Sequence, residues 1–227
     1  MSELAATVLD RLARLYRGAA DPVRAASMTA YMRAQFPFLG ITSPAQRLLA
    51  REVLAGLPRP AEADLRAVAL ACWELPEREY QYFACTWLRR HARVCSAGFL
   101  GGTVHHLVVT KSWWDTVDTL ASHVVGALVT RHPAIVSTMD AWAGDENMWL
   151  ARTALLHQLR YKEATDTVRL FHYCTVLAGH RDFFIRKAIG WSLREYAKTD
   201  PAAVRSYVRA HQSRLSALSV REALKNL

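Results

Sequence analysis

Lys111-Ser112-Trp113-Trp114-Asp115-Thr116-Val117-Asp118 is the densest run of aromatic and charged residues in the chain. Trp113 and Val117 within it and Leu120 and Val124 beyond it stand at helical spacing and form an apolar stripe suited to a core. Trp114 and Asp118 stand at i and i+4 and share the neighbouring face, directed toward a groove. Ser112 and Asp115 make an S-x-x-D capping pattern, which predicts a helix start at this point. The bulky pair recurs: Trp113-Trp114, Met148-Trp149 and Phe183-Phe184 lie 35 residues apart, each at the head of an amphipathic segment. A period of that size is the mark of stacked helical pairs, in which each unit buries its apolar face only against its neighbours.

Working outward, helix signals dominate. Asp21-Pro22, Ser43-Pro44 and Asp200-Pro201 each read as an N-cap followed by proline at the first helical position. Gly18, Gly56 and Gly179 stand where helices should stop. Leu4, Val8, Leu12 and Leu15 line one face of the first segment, and Val204, Val208 and His211 one face near the end. The pattern predicts helices over 3–16, 22–35, 44–55, 62–74, 77–92, 97–109, 113–130, 133–142, 147–160, 164–178, 182–198, 201–212 and 217–225. Their connections are short and no linker or low-complexity tract interrupts them, so one domain over residues 1–227 is expected.

The 227 residues carry 52% apolar and 22% charged side chains, which excludes a disordered chain and suffices for a core without metal or disulfides. Only 10 Gly and 8 Pro argue against an all-β fold. No stretch reads as a bilayer span or a signal peptide, so a cytoplasmic protein is expected. Cys72, Cys85, Cys95 and Cys174 are scattered, without C-x-x-C, and read as reduced and buried. The nine His show no metal-ligand spacing, so no metal site and no cofactor are expected. The net charge of +9 is lopsided: residues 151–227 hold 14 basic and 6 acidic side chains, against 15 and 14 in residues 1–150. A basic end of this kind suits a polyanion, nucleic acid first.

Stacking the repeats brings Trp114, Asp118, Arg152 and Trp191 onto adjacent helices. Arg152 stands near the repeat position of Asp118, and Lys187 at that of Arg152; Lys187, Trp191 and Arg194 can share one helix face. Taken singly, each has an ordinary reading: Trp114 as core, Asp118 as a surface or capping acid, and Arg152, Lys187 and Arg194 as a solvated face. Together they pose a question, because a carboxylate repels phosphate. In a basic groove it must meet positive charge, either an arginine of the protein or a cationic ligand.

At these residues the sequence resembles the AlkD-type DNA alkylation repair glycosylases. Three blocks carry the resemblance. One runs from Tyr31-Met32-Arg33 through Phe36-Pro37-Phe38-Leu39-Gly40-Ile41 to Pro44 and Arg47; another from Trp73-Glu74 through Glu77-Arg78-Glu79-Tyr80-Gln81 to Trp87. The most specific joins residues 111–118 to Trp149-Leu150-Ala151-Arg152-Thr153-Ala154 and Arg186-Lys187-Ala188-Ile189-Gly190-Trp191. The resemblance implies an all-α fold, an α-solenoid of about six HEAT-like helical pairs with a basic concave groove. It implies excision of N3- and N7-alkylated purines such as 3-methyladenine and 7-methylguanine from duplex DNA, the damaged base remaining stacked. Bulky adducts of a DNA-alkylating natural product, as in self-resistance, are included. By position it implies Asp118 as the catalytic carboxylate, Trp114 and Trp191 as sugar-contacting indoles and Arg152 as a backbone-binding arginine. Tyr31, Lys187 and Arg194 are implied as further DNA-binding positions. A monomer needing only duplex DNA is expected.

The residue types suit that chemistry. An N3- or N7-alkylated purine is already cationic and leaves without protonation, while positive charge develops on the deoxyribose. A carboxylate and indole faces stabilise that charge as it forms, the rings by about 0.5–2 kcal/mol each. Neutral lesions such as uracil should be poor substrates. The alternatives are a non-catalytic HEAT-like module that binds damaged or distorted duplex, and a protein–protein scaffold; a pure binder has no use for a carboxylate among phosphates.

Overall fold

The computed structural model describes residues Met1–Leu227 and is all-α. No helix is long and apolar enough to cross a membrane. Backbone contacts gather into two compact units, residues 1–96 and 97–227, with no linker between them in the sequence.

The first unit holds α1 (Glu3–Gly18), α2 (Pro22–Tyr31), α3 (Ser43–Val53), α4 (Glu62–Glu74) and α5 (Arg78–His91). The Asp21 carboxylate caps α2 by accepting from Arg24 N at 3.0 Å, with Pro22 in the first turn as expected. The cap of α3 is Thr42 rather than Ser43, one residue earlier than the sequence implies. On α1 the buried face is Ala5, Val8, Leu12 and Tyr16. Leu4 and Leu15 flank it half-buried, because the stripe is centred one position further round the helix. Helix α2 stops at Tyr31, four residues short of the expected end; Arg33 and Ala34 then turn the chain with φ of +55° each.

That turn delivers Phe36–Ile41 to the start of α5. The Glu79 carboxylate, fully buried, accepts backbone N–H groups of Leu39, Gly40 and Ile41 at 2.9, 2.8 and 3.1 Å. Arg78 N donates to Pro37 O at 2.9 Å, and the Arg78 guanidinium lies 3.8 Å from the Phe36 ring centroid. Gly40 has φ +88°, and a Cβ there would fall 2.1 Å from Asp21 O, so only glycine fits. Two of the three blocks that carry the resemblance are therefore one structural joint.

The second unit holds α6 (His105–Val109), α7 (Trp114–Thr119), α8 (Gly126–Arg131), α9 (Val136–Trp142), α10 (Met148–Leu156), α11 (Thr167–Val176), α12 (Phe183–Tyr196), α13 (Pro201–Ala210) and α14 (Ala217–Ala223). One row is α7, α10, α12 and α14, each packed on the next; α9, α11 and α13 form the row behind it. The rear row is tied by Arg169 Nε to Asp140 Oδ1 (2.9 Å), by Tyr173 OH to Asp140 (2.6 Å), and by Phe171 stacked on Tyr207 with ring centroids 4.6 Å apart. Val117, Leu120 and Val124 are fully buried, as their spacing requires, each contributing about 1.5–3 kcal/mol of burial.

Two features were not in the sequence pattern. Wider π-helical turns at Leu100–Val104 and Leu120–Val125 run into α6 and α8, so the segment expected over 113–130 is one rod with a π-turn inside it. Helix α10 ends at Leu156 rather than residue 160. All four cysteines are buried and none is in a disulfide; burial pushes the Cys174 thiol up to about 12.

His157, 1% exposed just beyond α10, has its pKa pushed down to about 4 by burial, its Nδ1 lying 2.8 Å from Ala154 O. The unfolded chain therefore binds a proton at about pH 6.5 that the folded chain refuses. Stability contributed by neutral His157 should be complete above about pH 6.5 and fall away as the pH drops toward about 4. Calorimetric Tm values of the wild type should decline over that window more steeply than those of His157→Gln; equal slopes would show that His157 is not the titrating group.

Candidate active site

The site belongs to the second unit and begins with helix starts. Asn147 caps α10 by accepting from Trp149 N (3.0 Å), and Asp182 caps α12 by accepting from Phe184 N (2.6 Å). Helix α7 begins at Trp114 with Trp113 as its cap residue and no side-chain cap bond. The expected Ser112–Asp115 capping box is not formed: the Ser112 hydroxyl donates back to Val108 O at 2.6 Å, and Asp115 accepts from the adjacent Thr116 N–H.

The bulky residues that revealed the repeat converge. The rings of Trp113, Trp149 and Phe184 meet with centroids 5.9, 5.0 and 5.4 Å apart, in tilted and edge-on contacts. That cluster sets the register of α7, α10 and α12. Asp118, Arg152 and Lys187 are each the fifth residue of their helix, so stacking places them side by side.

Asp118 and Arg152 form a two-pronged ion pair: Nε to Oδ1 at 2.7 Å and Nη2 to Oδ2 at 2.8 Å. Arg152 Nη1 donates to Phe184 O. Three of the five guanidinium N–H donors are thus engaged within the protein, and the side chain is only 4% exposed. The positive charge that Asp118 requires comes from the protein. Arg152, which the resemblance implies as a backbone-binding arginine, spends two donors on the Asp118 carboxylate and a third on Phe184 O. Burial pushes the Asp118 carboxyl above its ordinary value, and the Arg152 pair opposes that shift by favouring the ionised form. Each carboxylate oxygen keeps a second lone pair.

The Asp118 carboxylate, 14% exposed, lines a cleft of about 370 Å³ with Trp114, Trp191, Phe183, Phe184, Arg152, Lys187 and Arg194. Six of the seven residues singled out from the sequence lie here. The seventh, Tyr31, is the last residue of α2 in the first unit and is 75% exposed. Phe183 and Phe184 were legible only as repeat markers; their place in the cleft was not.

Lys187 and Arg194 are held by a residue that sequence reasoning missed. Glu222 on α14 accepts Lys187 Nζ on Oε1 (2.7 Å) and Arg194 Nη1 on Oε2 (2.6 Å). The Lys187 and Arg194 hydrogen bonds hold its carboxyl below the ordinary range. A Cβ on Gly190 would lie 2.4 Å from Glu222 Cβ and 2.9 Å from Ser219 O, so glycine allows α14 this close. Ser219 Oγ donates to Arg186 O at 2.9 Å across the same contact. The glycine before Trp191 was a signal in the sequence, but nothing there said which helix it admits.

Stacked helices with an acid–guanidinium pair in an aromatic cleft define an all-α protein of the helical-solenoid class. The family described as DNA alkylation repair enzyme matches residues 12–227. A solved structure described as a predicted DNA alkylation repair enzyme from Enterococcus faecalis is 32% identical, with a TM-score of 0.78, covering 92% of this chain and 96% of its own. No protein of curated function matches. The chain belongs to the DNA alkylation repair enzyme family.

Two substitutions test the packing. Gly190→Ala should destabilise the fold by roughly 1–3 kcal/mol through overpacking against α14. Arg152→Ala, which strands a buried carboxylate, should cost roughly 3–5 kcal/mol. Urea unfolding of each variant checks the figures.

Proposed function

We propose that this protein is a monofunctional DNA glycosylase. It hydrolyses the N-glycosidic bond of cationic N3- and N7-alkylated purines in duplex DNA, acting as a monomer. The observation that carries this reading is the position of Asp118: a carboxylate gripped at both oxygens by Arg152 and open to a cleft that it shares with two indoles.

The leaving base takes the bonding electron pair from C1′ and departs neutral, having begun as a cation. The deoxyribose gains positive charge in the same step. Asp118 faces that charge, the indoles of Trp114 and Trp191 in the same cleft add cation–π attraction to it, and water adds to C1′ with its proton passing to the carboxylate or to solvent. Arg152 is a positioning residue that acts through Asp118.

The cleft lining supports a narrow substrate class. It contains no histidine, tyrosine or neutral acid to protonate a leaving base, which favours lesions that carry their own charge. Its charged lining groups are already paired, Asp118 with Arg152 and Lys187 and Arg194 with Glu222, which favours a base that stays in the stack over one flipped into a pocket and read on its edge. A base left in the stack also leaves room for bulk in the groove, so bulky adducts and a self-resistance role fit the same site.

Asp118→Asn should lower release of 7-methylguanine from methylated duplex by on the order of 10²-fold while duplex affinity is retained. Free base measured by mass spectrometry decides this; near-normal release would remove Asp118 from the chemistry. Uracil and hypoxanthine duplexes should yield no free base. Since the ionised acid is the active form and its pKa is raised, kcat/KM should fall with acidification along a limb above the ordinary carboxylate value of about 4. A limb at or below that value would contradict the assignment.

A further inference from the structure

Glu222 lies outside the helix starts that build the cleft, yet it holds both of the cations on α12 that face it. Lys187, Trp191 and Arg194 follow one another at spacings of four and three along one face of α12. A single carboxylate reaches the cation on each side of the indole. The acid is 9% exposed, so its charge lies against its partners with little solvent between. Asp118 and Glu222 against Arg152, Lys187 and Arg194 leave these five groups at a net +1; without Glu222 they would stand at +2.

That difference acts in opposite directions on the two things the cleft would meet. Phosphates of any duplex gain from free cations, whatever the base. A cationic lesion, and the positive sugar formed as its bond breaks, loses from uncompensated positive charge beside Trp191. We infer that Glu222 is a specificity-determining residue, which pins Lys187 and Arg194 so that undamaged duplex is held weakly and the positive potential at the reacting sugar stays low. The inference rests on the glycosylase reading.

The test is Glu222→Gln, which keeps the shape and removes the charge, beside Glu222→Asp, which keeps the charge. Affinity for undamaged duplex and for duplex carrying 7-methylguanine is measured from low to moderate salt. The Gln variant should bind undamaged duplex roughly three- to tenfold more tightly at low salt, with the slope of log affinity against log salt steeper by up to about one. Its preference for damaged over undamaged duplex should fall several-fold, as should its kcat for 7-methylguanine release. The Asp variant should return toward wild-type slope and preference, which a purely structural role would not require. An unchanged or shallower slope overturns the inference, and so does a steeper slope with undiminished preference. If the Gln variant does not fold, the Lys187 ammonium resonance of the wild type answers instead, assigned with Lys187→Arg. It should keep its Glu222-paired position when undamaged duplex is added, and its displacement overturns the inference. Wild-type protein that releases no base from methylated duplex sinks the glycosylase reading; active wild type with the wrong Glu222→Gln slope sinks this inference alone.

Discussion

The bidentate contact between Arg152 and Asp118 is the constraint around which the second unit is organised. A carboxylate 14% exposed among aromatic rings is costly to keep ionised. The guanidinium offsets that cost with two parallel hydrogen bonds and has its own third donor satisfied by Phe184 O. Three neighbouring helices of the front row must hold their register for this to work: α7 brings the acid, α10 the arginine and α12 the carbonyl. The pair leaves each carboxylate oxygen a free lone pair on an acid that lines the cleft, so the protein keeps a negative charge available where its charge balance is otherwise positive.

Register is supplied by packing rather than by capping. Trp113, Trp149 and Phe184 interlock at the helix starts, and their meeting places the fifth residue of each helix in line with the next. Gly190 does the corresponding job at the end of the row, where the absence of a side chain lets α14 carry Glu222 up to Lys187 and Arg194. The cations that line the cleft are thus paired with acids in two different ways. One is buried and two-pronged at Asp118; the other, at Glu222, is shared between two cations flanking Trp191.

The resemblance blocks divide by role in a way their residue types do not announce. Phe36–Ile41 and Glu77–Gln81 carry the resemblance through structure: Glu79 spends its carboxylate on three backbone N–H groups and Arg78 lies over Phe36. They hold a loop against α5. The block at 111–118 with Arg152 and Trp191 lines the cleft.

Helix positions followed from the chain directly, because apolar period, proline in first turns and glycine at stops act within a few residues of where they are read. The shared face of Trp114 and Asp118, and the kinship of Asp118, Arg152 and Lys187, followed from the same local arithmetic carried across a repeat. What needed three dimensions was everything set by partners remote in sequence. Arg152 turns inward because Phe184 O and Asp118 await it, Ser112 forgoes its cap for Val108 O, and Glu222 reaches cations 35 and 28 residues away. Charge pairing depends on distance in space, and a single chain of letters records only distance along the backbone.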